Sequence, residues 1–213
     1  MKSGTFSLAA ENPPVPGCTV SGEIIPGVLI FSLAEKTDIS PESYPVRNLW
    51  LAAQGQMRVL TDGNRSFKAG DLYVTPIGVP VGIWAETDSV YTEIQLRKET
   101  DMSSVLKDGE VFALKELVPY QEGKIVNMDL ISDPKMKFVL MAFDGGTGLA
   151  EHAAPGEALI FALDGNGVIG YEGKEYPIHA GENFKFAKNG THSVRADGRF
   201  KMALLLTLDE RRN

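Results

Sequence analysis

The sequence predicts an all-β protein built from two copies of one domain. Two observations carry this. Short runs rich in β-branched and aromatic residues recur along the chain, bounded by Gly, Asp, Asn or Pro. An ordered set of residues from the first half also returns in the second. Phe6, Leu8, Pro13 and Gly17 recur as Phe112, Leu114, Pro119 and Gly123, each 106 positions on. Further along, Gly55 matches Gly165 and Gly70 matches Gly181. The offset grows slightly, as small loop insertions would make it do.

The strand runs in order are GVLIFSLA, MRVLT, DLYVTP, VYTEIQL, KFVLMAF, EALIFAL, GVIGYEG, NFKFA and FKMALLLTL. Several are apolar at every position, so both faces are covered, as in a sandwich or barrel. Asp62-Gly63 and Glu172-Gly173 lie between strand pairs and favour hairpins. The polar stretch RKETDMSSVLKDGE reads as an exposed connector, and VFALKELV after it as a short helix. The expected division is an N-terminal domain over 1–98, a connector over 99–111 and a C-terminal domain over 112–213.

Composition narrows the classes of function. The chain is 43% hydrophobic and 23% charged, which suits a globular protein. Its formal charge of −7 gives no broad field to draw nucleic acid or an anionic membrane. The basic residues are scattered, apart from Arg211 and Arg212. Cys18 is the single cysteine, so no internal disulfide forms and nothing argues for an oxidising compartment. No apolar run approaches the length of a membrane span or a secretory h-region. A cytoplasmic protein is expected.

The stretch GLAEHAAPGEALIFALDG, followed by YEGKEYPIHAGENFKFAKNGTHSVRA, resembles the cupin family. Gly165 fits the glycine that closes the family's first motif. HAGE at 179–182 fits the turn of the second, and His192 its histidine. The resemblance implies a double-stranded β-helix, or jelly roll, in each half: a bicupin of two tandem cupin barrels with a short helical connector. It also implies homo-oligomerisation, as a dimer.

In cupins the first motif supplies His-x-His and a Glu as metal ligands. Here His152 takes the first position, while Ala154 and Ala158 take the second His and the Glu positions. His192 takes the last. Two of four ligands are retained. Glu157, one residue short of the motif position, faces away from the interior unless a bulge re-aims it. In the N-terminal copy Glu42, Tyr44, Asn48 and Val81 occupy the four positions, and that half contains no histidine. An imidazole-based metal site is excluded there, and that barrel is structural or a pocket of different chemistry.

Three readings of the C-terminal barrel stay open. In the first, His152 and His192, with Glu157, line a metal-free small-molecule pocket and act as hydrogen-bonding or acid–base groups. In the second, His152 and His192 hold one divalent transition metal (Zn, Mn, Fe, Ni or Cu) in an enzyme of oxygenase, isomerase or decarboxylase type. Its substrate would be a small polar metabolite, such as a sugar or a carboxylic acid. In the third, the histidines are core groups of a non-catalytic structural or binding protein. His179 is expected at the surface. Trp50 and Trp84 read as packing residues, and Cys18 as an unreactive thiol. GNGVIG at 165–170 lies between strands with no helix after it, so it fails as a dinucleotide-binding loop.

Overall fold

A computed structural model describes residues 4–208; the paired arginines at 211 and 212 lie outside it. The chain is nearly all β, as its periodicity requires. No helix among the described residues is long and apolar enough to cross a membrane. The chain divides into two units. One, C-terminal in the main, contains the residues up to Ser7, Asp101–Ser103 and the chain from Leu114. The other contains Leu8–Thr100 and Ser104–Ala113. The expected connector is thus shared between them. The expected helix at VFALKELV is a strand at Val111–Ala113 followed by a single 3-10 turn at Leu114–Glu116. Val and Phe at its start favour extended backbone, which here pairs with Asp71–Val74.

The C-terminal unit is one nine-stranded antiparallel sheet folded onto itself. Two long strands make the fold, Glu157–Tyr171 and Thr191–Thr207, paired with each other. The first half of the former pairs with Asn183–Phe186, and its second half with Lys174–His179. Likewise the latter pairs with Met136–Phe143 at one end and Gly148–Ala153 at the other. EALIFAL and GVIGYEG therefore belong to one strand and not to two. The bend between them coincides with register shifts at Ala162/Asp164 and Gly165/Gly167. Gly165 is required there. Its φ is +68°, and a Cβ would sit 1.9 Å from the carbonyl oxygen of Arg199.

The core lies between the two layers. Ala158, Ile160 and Ala162 from one half of the long strand meet Ile169 and Tyr171 from the other, closed by Phe184, Phe186, Phe200 and Met202. Alternate residues of the strand, such as Leu159 and Phe161, point to the opposite face, where Phe161 packs edge-on to Phe138.

In the N-terminal unit the corresponding strands are broken into two sheets. Asn48–Gln54 and Ser89–Gln95 belong to a six-stranded sheet; Gln56–Leu60 and Val81–Ala85 belong to a four-stranded one. The break in the first falls at Gly55, the match of Gly165. Among the described residues, neither unit closes on itself by continuous hydrogen bonding. The long strands bend between layers in one unit and are interrupted in the other. The core of the N-terminal unit is Trp50, Tyr73, Tyr91, Phe67, Met57 and their neighbours. Trp50 packs there as expected, being 2% exposed.

Candidate functional site

His152 and His192 lie directly opposite each other across paired strands. A parity argument fixes their direction. Val194 and Ala196, two and four residues beyond His192, both belong to the core, so His192 points inward, and its directly paired partner shares that face. The imidazole rings are 4.2 Å apart between centroids and inclined by 52°. They differ in environment. His192 is 4% exposed, stacked on Phe186 at 4.0 Å and 24°, whereas His152 is open to solvent. The pair sits where the core meets water.

The backbone sets the tautomer of each ring. His152 Nδ1 lies 2.9 Å from the carbonyl oxygen of Ala150, and His192 Nδ1 lies 3.0 Å from that of Gly190. A carbonyl oxygen can only accept, so each Nδ1 carries the proton. Each neutral ring then keeps a lone pair at Nε2. Burial holds His192 below the ordinary imidazole value. The Gly190 carbonyl opposes this, and the neighbouring His152 reinforces it.

The other expected site residues lie elsewhere. Glu157 begins its strand on the face of Leu159, opposite to Ala158, and no bulge among residues 157–162 re-aims it. Its Oε2 faces Lys185 Nζ at 3.4 Å, an ion pair longer than a hydrogen bond. The structure therefore brings His152 and His192 together and leaves Glu157 apart. Ala154 and Ala158 are buried, at 7% and 1% exposure. His179 is exposed, with Nδ1 2.8 Å from Asn166 Oδ1, at the surface as expected. Cys18 is free and exposed.

A divalent metal at this position would need three or more protein donors for an ordinary catalytic site. Two imidazoles with available Nε2 atoms fit two coordination positions. Methyl groups at 154 and 158 fill the other two; Glu157 is turned away, and Glu151, next to His152 in its strand, alternates to the opposite face. Among the described residues no group of three His, Cys, Asp or Glu side chains is placed to hold a metal ion. The donor set does not fit a complete metal centre.

In the N-terminal unit Glu42 is paired with Val81, as His152 is with His192. The site residues that sequence reasoning passed over are here: Trp50 Nε1 donates to Glu93 Oε2 at 2.6 Å. Glu93 gave no sequence signal, because a single acidic residue in an alternating strand reads as a solvent-facing position.

Comparison with known proteins agrees with this fold. Residues 139–208 match the cupin domain family. The chain is 26% identical to a Cupin 2 conserved barrel domain protein from Leptotrichia buccalis, with a TM-score of 0.84 over 97% of this chain and 98% of that one. A variant of the salicylate 1,2-dioxygenase from Pseudoaminobacter salicylatoxidans is 12% identical, with a TM-score of 0.67 over 97% of this chain and 84% of that one. The protein Ylba from E. coli is 11% identical, with a TM-score of 0.63 over 100% and 95%. At such identities the last two show the fold alone. No curated protein matches the sequence. The C-terminal unit thus contains the stretch that matches the cupin domain, and the fold of the whole chain is similar to that of the Leptotrichia buccalis protein.

Proposed function

We propose that the chain is a bicupin whose C-terminal unit binds a small hydroxyl-bearing molecule, such as a sugar, at the His152–His192 pair without a resident metal. One observation carries the binding reading. Both Nδ1–H groups are taken by backbone carbonyls, so the pair in its neutral form offers two neighbouring Nε2 acceptors. Two acceptors suit a ligand that donates, as neighbouring hydroxyls do. A carboxylate would need a protonated imidazole, which the burial of His192 disfavours. The stacked Phe186 gives the inner half of the site an apolar wall, the usual complement to a few polar groups. With a hydroxyl on His192 Nε2, the same geometry allows that imidazole to accept the proton, the general-base step of an isomerase or hydrolase.

Duplication is supported by strand pairing. Glu42↔Val81 corresponds to His152↔His192, and Trp50↔Glu93 to Ile160↔Leu204. Thr5–Phe6 pairs with Asn183–Phe186, and Val111–Ala113 with Asp71–Val74, at matching positions of the repeat.

Calorimetric titration of a monosaccharide panel against the wild type and a His152→Ala, His192→Ala double variant tests this. Saturable binding by the wild type that the double variant loses is expected. Equal binding by both proteins, or none by the wild type, contradicts it.

A further inference from the structure

The N-terminal unit carries a different set of side chains on the same framework. In its six-stranded sheet Tyr73, Trp50, Glu93 and Leu29 stand opposite one another in register and share a face. The corresponding row of the C-terminal unit is Phe184, Ile160, Leu204 and Val139, all apolar. A carboxylate has thus been placed where the other unit keeps a leucine. Aromatic rings surround it. Phe31 stacks on Tyr91 at 5.1 Å, Tyr91 meets Trp50 at 5.7 Å, and Tyr44 meets Trp50 edge-on at 6.2 Å.

Glu93 is substantially desolvated. Burial raises its pKa and Glu42 adds to the rise; hydrogen bonds from Trp50 and Tyr44 oppose them. The charged neighbour it feels is therefore another acid. A desolvated carboxylate ordinarily has a cationic partner. Two further polar groups on this face are also unmatched. Asn48, 0% exposed, has neither amide atom hydrogen-bonded; the Tyr73 hydroxyl, 0% exposed, likewise has no partner. Asn48 is two residues from Trp50, so it lies on the same face, diagonal to Glu93. Orphaned buried groups of this kind are rare in folded proteins and call for a reason.

The cluster reaches solvent. Phe31, Tyr44 and Glu93 are half-buried, and Leu29, directly opposite Glu93, is 39% exposed. Ile77, bridged to Tyr44, is 48% exposed. An apolar rim leads to an aromatic wall with one acid in it.

We infer that this face of the N-terminal unit is a second binding site, for a primary organic ammonium ion with an apolar body, held by the Glu93 carboxylate and the half-buried rings of Phe31 and Tyr44, with Trp50 and Tyr91 packed behind them. An ammonium supplies the missing positive charge, and aromatic faces attract it. Its N–H groups suit the nearest acceptor left over, Asn48 Oδ1, diagonal to Glu93. Anions are repelled by Glu93 and Glu42, and a neutral apolar molecule leaves the carboxylate uncompensated.

The test uses the full chain at about pH 8, with phenethylammonium as probe and 2-phenylethanol as its neutral counterpart, read by calorimetry and tryptophan fluorescence. Phenethylammonium is expected to bind saturably and at least tenfold more tightly than the alcohol. Glu93→Gln, which keeps the acceptor for Trp50 Nε1, is expected to reduce that preference to within twofold. The His152→Ala, His192→Ala variant is expected to bind the probe as the wild type does, which separates this site from the C-terminal one. Equal affinity of the wild type for both probes, or no saturable binding of the cation, overturns the inference. That comparison needs no variant and stands even where Glu93→Gln fails to fold. A folded Glu93→Gln protein that keeps the tenfold preference overturns it equally.

Discussion

Phe186→Ala tests how the apolar wall and the buried imidazole depend on each other. Phe186 is 1% exposed and touches three rings: Phe184 at 5.1 Å, Tyr171 at 5.4 Å and His192 at 4.0 Å. It also lies directly opposite Ala158, so no large neighbour is placed to fill the space from that side. Loss of its burial removes about 2 kcal/mol of transfer free energy. The cavity left in a framework of paired strands brings the total to about 3–5 kcal/mol. A second effect follows at His192, whose depressed pKa arises first from burial. Exposing one face of the ring to water moves that pKa back up towards the ordinary value. Urea unfolding gives the first quantity, and a histidine NMR titration the second. Stability lowered by less than about 1 kcal/mol, or a His192 titration that moves further down, would refute the reasoning.

Three more expectations concern the C-terminal unit. Gly165→Ala places a Cβ against the Arg199 carbonyl, so its folded yield and melting temperature should fall far more than those of Gly173→Ala. Gly173 has a similar φ of +73° but open space around it, and its substitution should cost only about 1–2 kcal/mol. His192 has a folded-state pKa below its unfolded value, so the unfolded chain binds the extra proton first. Stability therefore falls as pH drops from about 6.5 towards the depressed value, and urea midpoints of His192→Gln should fall less over the same range. Glu157→Gln removes only a partly exposed ion pair with Lys185, so it should change stability by less than about 1 kcal/mol and leave ligand binding at the histidines intact.

Much of the architecture was legible because it rests on local chemistry. Asp-Gly and Glu-Gly turns marked hairpins, and Glu172 and Gly173 both have positive φ, as a two-residue hairpin turn of the favoured type requires. Alignment through Gly55 and Gly70 put Glu42 and Val81 at the positions of His152 and His192, and each pair is in register. What was illegible depends on pairing between distant segments. EALIFAL and GVIGYEG read as two strands because glycine and aspartate interrupt them, yet bulges carry the ladder through. VFALKELV has mixed propensity, and the partner strand decided its first half. Of the candidate site, the histidines were visible by motif and the outward turn of Glu157 by strand parity. The Nδ1–carbonyl contacts and the aromatic setting of Glu93 were not, since neither is encoded in residue spacing.

The most direct test of the central claim is the metal content of the full chain, purified without chelator or histidine tag and then soaked in Zn, Mn, Fe, Ni and Cu. Two imidazoles facing two alanines predict far less than one ion per chain after desalting, with the His152→Ala, His192→Ala variant indistinguishable. Near-stoichiometric metal in the wild type that disappears in the double variant would contradict it, and would mean that donors beyond this pair complete a metal centre.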